Sequence, residues 1–407
     1  MSVKGKIGVL TGGGDTTALN ATLKGVALAA EEAGYEVIGI CEGWAGMLEG
    51  GQAVRLPAAA IDENRGGTII KSSRTNLRRI EGGIEQASRR IHQLKLDALI
   101  AIGGDDTLTV GVELAEYHRG VPINFVTKTI DNDVGTNPPP GDPPDFEAMK
   151  NYFCPGFPTA AQWLFTAADA LRTTAYSHDR ILILEAMGRT AGWLALATCY
   201  GHPDFIILPE SPLDVDAFAK QVAERYLERK HAIIVIAEGA VDPEGNIIGE
   251  SDAVVDSFGH KRLGGVSEWL EGELQQRLAQ KERIISASAI RAVIPSYLQR
   301  CGSPIPVDRD TAMAAGRAIV AATLEGKSGY VGCPVRRGDR VEAEALPVDA
   351  VLPRDASGTV IPRLVDRRLY DPERYAPTPW AAEYFKPIFG PIAPAFRYPD
   401  LEPYSGE

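Results

Sequence analysis

Short, almost unbroken apolar runs alternate with amphipathic stretches along most of the chain. Residues 6–10 read as a buried strand, followed by the turn Gly12-Gly13-Gly14-Asp15 and a helical stretch over 18–33 rich in Ala, Leu and Glu. Further strands are expected at 36–40, 98–102 and 123–126, with helices at 84–94 and 108–118 between them. A second series sets strands at 181–184, 205–208 and 232–236 among helices at 193–200, 215–230 and 266–281. Apolar strands without in-out alternation are buried on both faces, and interleaved helices let the next strand run parallel to the last.

The expected fold class is therefore α/β: two Rossmann-like domains, each a mainly parallel sheet flanked by helices, with a C-terminal wrapping tail. The first domain takes residues 1–140 plus about 300–350, the second 141–299, and 351–407 pack as a tail on the surface. Residues 137–158 hold seven prolines and two glycines, which rules out regular structure throughout and predicts a long connection or a lid at the domain boundary. From about 346 onward the chain is again proline-rich, and its scattered Trp, Tyr and Phe are expected to hold it against the surface.

Composition narrows the function. A chain of 407 residues, 44% hydrophobic and 24% charged, has ample material for cores of this kind. It shows no apolar run of the roughly 18 residues that a membrane span needs and no N-terminal signal pattern, so a cytoplasmic protein without a membrane partner is expected. Cys41, Cys154, Cys199, Cys301 and Cys333 are widely spaced and never form C-x-x-C, which points to reduced thiols. A net charge of -12 without a clustered basic face argues against nucleic acid as a partner, but leaves room for a local basic pocket that takes small phosphorylated molecules.

Candidate chemistry concentrates in three loops that each follow an apolar strand, 11–15, 103–107 and 127–133. In an open parallel sheet such loops sit at the carboxyl ends of the strands, where backbone N–H groups and helix N-termini meet phosphate. A lone Gly-Gly loop is as readily a plain turn, and an isolated Asp-Asn-Asp can be an Asx turn. Three loops that together carry Asp105, Asp106, Asp131, Asp133 and Lys128 favour chemistry. A divalent cation takes hard oxygen ligands, and a moving phosphoryl group needs a base and a cation beside it. Asp105 is the candidate Mg2+ ligand and Asp131 the candidate general base; Asp133 would fix the acceptor or the metal, and Lys128 would be a point charge for the transferring group.

These residues resemble the phosphofructokinase family over about 6–332, with the tail outside the resemblance. Residues 12–20, with Gly13 and Gly14, are similar to the family's first phosphate loop, and Arg74 in Gly67-Thr-Ile-Ile-Lys-Ser-Ser-Arg matches an arginine near the donor phosphates. Gly103 to Thr107 matches the metal-binding loop, with Gly104, Asp106 and Thr107 on the donor side. Lys128 to Asp133 matches the catalytic loop; the resemblance makes Asp131 the base toward the sugar's 1-hydroxyl and sets Thr129 on the transferred group. Arg180, and Met187, Gly188 and Arg189, fall in segments similar to those that hold the sugar phosphate; Glu238 matches a sugar-hydroxyl ligand, and Arg291, Tyr297 and Arg300 match positions that hold the 6-phosphate. In the family the equivalents of Arg180 and Arg291 reach across from a neighbouring subunit, which implies a homodimer or homotetramer with shared sites. The implied activity is Mg2+-dependent phosphoryl transfer to fructose 6-phosphate in glycolysis.

ATP-using members of the family typically carry glycine at the positions of Asp106 and Lys128, whereas Asp with Lys resembles the pyrophosphate-dependent branch. A carboxylate at 106 would stand where a nucleotide's α-phosphate passes; two unit charges about 4 Å apart repel by roughly 4 kcal/mol at an effective dielectric near 20, on the order of a thousandfold in affinity. Pyrophosphate is thus the expected donor. The chain departs from the family at Asp15-Thr-Thr-Ala-Leu-Asn20, which lacks the usual proline and glycine, at Tyr297, where many ATP-dependent members have histidine, and in the insertion 138–154. Fructose 6-phosphate is the leading acceptor, with sedoheptulose 7-phosphate, an ATP-dependent kinase, and a silent sugar-phosphate-binding paralogue as alternatives. A nicotinamide dehydrogenase fits less well, because Gly12-x-Gly14-x-x-Thr17 lacks the last fingerprint glycine and the acidic loops would stand idle.

Overall fold

The computed structural model describes residues 3–249, 251–255, 261–263, 265–396 and 398–399. Its first part runs β1 (Gly5–Thr11), α1 (Leu19–Glu32), β2 (Tyr35–Ile40), β3 (Ala53–Arg55), α2 (Gly83–Leu94), β4 (Ala98–Gly103), α3 (Asp105–Tyr117), β5 (Ile123–Thr127) and α4 (Phe157–Ser177). There follow β6 (Ile181–Ala186), α5 (Trp193–Ala197), β7 (Phe205–Ile207), α6 (Val215–Arg229), β8 (Ala232–Ala237), the hairpin β9 (Ser251–Val255) and β10 (Lys261–Arg262), α7 (Val266–Leu274) and β11 (Ile290–Val293). Helix α8 (Pro306–Leu324) then leads to β12 (Tyr330–Arg337), β13 (Arg340–Pro347), the turn α9 (Val348–Val351), the pair β14 (Tyr370–Asp371) and β15 (Ala376–Pro377), and α10 (Pro379–Phe389).

Two sheets organise these elements, in line with the expected α/β class. The first has the order β13-β12-β5-β4-β1-β2-β3, parallel except at its two edge strands. The second, β11-β6-β8-β7, is parallel throughout. Successive residues of a strand point to opposite faces, and both faces are covered. In the first sheet Ile7, Val9, Ile100 and Ile102 pack against α1 and α8, whereas Leu10, Leu99 and Ala101 pack against α2 and α3. In the second, Ile181, Ile183 and Ile234 meet α6 and α7, and Leu184, Ala186 and Val235 meet α4, α5 and α10. Among the described residues no helix is long and apolar enough to cross a membrane.

Several sequence expectations need correction. Helix α3 begins at Asp105 rather than 108, because Asp105 and Asp106 occupy its first turn, where the helix dipole favours carboxylates. The expected helix 266–281 is α-helical only to Leu274 and continues as a π-helix over Gln275–Lys281. Residues 137–158 are not a lid: none of them borders the cavity described below, and Phe146, Tyr152, Phe153 and Phe157 are core residues. The tail is not only a surface wrap either. Tyr384, Phe385 and Ile388 of α10 lie in that same core, where Tyr384 packs edge-on to Phe146 at 5.6 Å and 5.0 Å from Tyr152. The end of the tail, 397 and 400–407, lies outside the described residues.

Candidate active site

Parallel register brings the three loops together. Strand β4 lies between β1 and β5, with Thr11 opposite Ile102 and Gly103 opposite Thr127, so the loops after β1, β4 and β5 emerge side by side from one edge of the sheet. Gly12 N–H donates to Ile102 O at 2.9 Å and Lys128 N–H to Gly103 O at 2.8 Å, which stitches neighbouring loops directly. The approach is too close for larger residues: a Cβ on Gly103 would lie 2.3 Å from Thr107 Cβ, and one on Gly12 2.6 Å from Thr107 Oγ1. One sequence expectation changes here. The N–H of Gly13 is not free for a phosphate, because it donates to Ser73 O at 3.0 Å; with φ +79°, Gly13 instead turns the loop and lines the site without a side chain.

These loops floor a cavity of about 750 Å³. Of the sequence-selected residues, Gly13, Gly14, Arg74, Gly104, Asp105, Asp106, Thr107, Lys128, Thr129, Asp131, Asp133, Met187, Arg189, Glu238, Tyr297 and Arg300 all line it. Gly188 lies just behind, its N–H donating to Glu238 Oε1 at 3.3 Å. Helix α3 points its N-terminus at the cavity with no side-chain cap on Gly104, leaving positive backbone dipole there. Asp15 and Thr16, from the segment 12–20 marked in the sequence, also line it; Thr190 was passed over, and Val360 and Pro362, which reach the cavity from the tail, could not have been found.

Arg180 and Arg291 are not part of this cavity. Arg180 immediately precedes β6 and Arg291 is in register with Leu182, both toward the amino end of the second sheet; Arg180 Nη1 donates to Thr174 Oγ1 at 3.1 Å and Arg291 pairs with Glu271 at 2.9 Å. The cavity lies at the carboxyl end of β6, past Ala186, about 20 Å on from Arg180 and about 13 Å on from the register of Arg291 at roughly 3.3 Å per residue. Within one chain neither lines it.

Electrostatics in the cavity are dominated by burial. Lys128, only 3% exposed, is pushed down to about 8 by desolvation, with the Arg300 and Arg74 guanidinium groups adding to the effect and Asp15 and Asp131 opposing it; its Nζ donates to Gly14 O, tying the third loop to the first. Asp131 is raised by burial against the pull of Arg300, Arg189, Lys128 and Arg74. Asp133 is raised as well, first by burial and then by the negative charges of Asp131 and Asp105. Glu238 is pushed up to about 7 by burial, with Asp131 close enough to add repulsion.

A divalent cation fits this donor set. Asp133 Oδ1 is buried without a hydrogen-bond partner, and three carboxylates repel one another across the same space. Among the described residues no cluster of three or more His, Cys, Asp or Glu could enclose a metal unaided. Asp105 and Asp133 are the residues that would hold Mg2+, a hard cation that takes oxygen ligands.

Fold and cavity together define an α/β phosphotransferase scaffold. A sequence profile of phosphofructokinase matches residues 6–323. The pyrophosphate--fructose 6-phosphate 1-phosphotransferase of Dictyoglomus thermophilum is 38% identical over 353 residues, 86% of this chain and 93% of that protein. ATP-dependent 6-phosphofructokinase 3 of Streptomyces coelicolor is 37% identical over 351 residues, 85% of this chain and 94% of that one. The crystal structure of a pyrophosphate-dependent phosphofructokinase from Marinobacter aquaeolei shares the fold with a TM-score of 0.76 at 20% identity, covering 98% of this chain and 94% of the other. The chain belongs to the phosphofructokinase family.

Proposed function

We propose that this protein transfers a phosphoryl group reversibly from pyrophosphate to the 1-hydroxyl of fructose 6-phosphate, giving fructose 1,6-bisphosphate. The observation that carries the choice of donor is the joint presence of Asp106 and Lys128 on the wall of one cavity with Asp105 and Asp131. Asp106 brings a carboxylate to the place where a nucleotide would continue beyond its β-phosphate, and Lys128 offers a cation to a donor that brings no adenosine binding energy. The name of the Dictyoglomus relative supports the same donor; that of the Streptomyces relative makes ATP the alternative to be tested.

In this reading Asp131 accepts the proton of the acceptor hydroxyl, and burial, which raises its affinity for protons, makes it a stronger base than an exposed carboxylate. Lys128, Arg74 and the N-terminus of α3 stabilise charge on the transferring group, with Thr129 beside it. Asp105, with Asp133 at hand, would hold Mg2+, which would neutralise charge on the donor oxygens. Arg189, Met187, Gly188, Glu238, Tyr297 and Arg300 form the sugar-phosphate end, where Glu238 meets a sugar hydroxyl. Arg180 and Arg291 complete the site of a second copy in a homodimer or homotetramer.

Purified protein with Mg2+ and fructose 6-phosphate, given pyrophosphate or ATP in parallel, tests the assignment. Asp131→Ala is expected to abolish turnover while fructose 6-phosphate still binds in calorimetry; a variant that keeps full activity removes Asp131 as the base.

A further inference from the structure

The tail contributes more than two wall residues. Arg363, 3% exposed, follows Pro362 into the interior and spends all five of its guanidinium N–H groups on the catalytic loop and the segment behind it. Nε donates to Asn132 O at 2.9 Å, and Nη2 donates to Asn132 O at 2.7 Å and to Asn132 Oδ1 at 2.5 Å. Nη1 donates to the carbonyls of Asn151 and Tyr152, the latter at 3.3 Å. The backbone N–H of Arg363 donates to Asp133 O at 2.6 Å. Trp193 holds the clamp from behind: its ring lies 5.4 Å from the guanidinium, and its Nε1 donates to Arg363 O at 2.9 Å.

What the clamp grips is the residue between the two carboxylates. Asn132 is fully buried at φ 56°, a left-handed conformation that asparagine accepts more readily than most side chains. Tyr384 OH accepts from Asn132 Nδ2 at 3.0 Å, and Asn132 Oδ1 also accepts from Cys154 N–H at 2.9 Å. Fixing both the carbonyl and the side chain of Asn132 fixes the directions in which Asp131 and Asp133 leave the backbone on either side. Among the described residues no carboxylate pairs with Arg363, so its charge is turned toward the amide oxygens of Asn132 and of the adjoining segment at Asn151 and Tyr152.

We infer that Arg363 is a positioning residue for Asp131 and Asp133, and that residues 360–363 form a strap by which the C-terminal segment, beyond the part matched by the family profile, holds the catalytic turn in its reacting geometry. The inference rests on Asp131 being the base. It predicts a loss in kcat rather than in binding, because a displacement of the base by about 1 Å costs on the order of 100-fold in rate while the sugar-phosphate contacts lie on other elements.

Arg363→Ala and Arg363→Lys are compared with wild type using Mg2+, fructose 6-phosphate and whichever donor wild type uses. The alanine variant is expected to lose about 100-fold in kcat with KM for fructose 6-phosphate little changed, and to regain part of it when millimolar guanidinium ion is added, which leaves wild type unaffected. The lysine variant keeps the charge but cannot span Asn132 and Asn151 together, and is expected to fall about tenfold. If the alanine variant does not fold, the lysine variant decides on the same kcat criterion. Folded variants that keep wild-type kcat overturn the inference, as does a loss that guanidinium does not relieve and that falls on KM. Wild type inactive with every donor overturns the proposed function and this inference with it; active wild type beside an indifferent variant overturns this inference alone.

Discussion

Replacing Lys128 with methionine should stabilise the protein while disabling it, and the size of the effect should depend on pH. The side chain is 3% exposed, and burial lowers its proton affinity from the ordinary 10.5 to about 8. A lysine held below its unfolded value makes the unfolded chain the better proton binder between those two limits, so stability rises with pH across that window. Below about pH 8 the charged amine is buried at full cost, and above 10.5 the cost is gone. At 1.36 kcal/mol per decade the span from about 8 to 10.5 is worth about 3 kcal/mol, of which roughly 2 kcal/mol is relieved between pH 6.5 and 9.5. Methionine matches the lysine stem in length and has no charge to bury. The measurement is urea unfolding of wild type and Lys128→Met, free of ligands, at a series of pH values. Taking the difference cancels the tyrosines and cysteines that titrate in the same range. The stability of the variant relative to wild type should shrink by roughly 2 kcal/mol from pH 6.5 to 9.5. A difference that stays flat within about 0.5 kcal/mol would refute the claim that Lys128 is held charged against burial. In activity assays the variant should lose about 100-fold or more in kcat with pyrophosphate, as expected for one missing charge-stabilising donor, and wild-type kcat/KM should fall as pH rises through about 8.

Other outcomes follow from the same geometry. Asp106→Gly, alone or with Lys128→Gly, should weaken pyrophosphate use and raise ATP-supported turnover, measured as kcat/KM for each donor; no gain with ATP counts against Asp106 as the barrier. Asp308 is fully buried and accepts from Gly156 N–H at 2.8 Å, Thr159 Oγ1 at 2.5 Å and Thr17 Oγ1 at 3.3 Å, joining α8 to the start of α4 and to the segment between β1 and α1. Asp308→Ala orphans those donors and should cost about 3 kcal/mol in chemical unfolding.

The site was legible in the sequence to the extent that its chemistry is local. Gly103 to Thr107 and Lys128 to Asp133 announce themselves because each follows an apolar strand directly, and parallel pairing then leaves them only one edge of the sheet to share. What was hidden depends on contacts far apart in the chain. Tyr384 meets Asn132 across 252 positions and Arg363 meets it across 231, and neither aromatic spacing nor proline content in the tail signals a partner at that distance. The insertion misled for a related reason: its prolines forbid regular structure, but Tyr152 and Phe153 between them are fully buried core residues. Arg180 and Arg291 stand outside the cavity of their own chain, which is the arrangement expected of residues that serve a neighbouring subunit.

The most direct test of the central claim runs the reaction backward. Given fructose 1,6-bisphosphate, orthophosphate and Mg2+, the protein should produce pyrophosphate and fructose 6-phosphate, with the pyrophosphate resonance growing in the phosphorus NMR spectrum as the bisphosphate declines. No pyrophosphate from that mixture, together with ATP formed when ADP replaces orthophosphate, would contradict it.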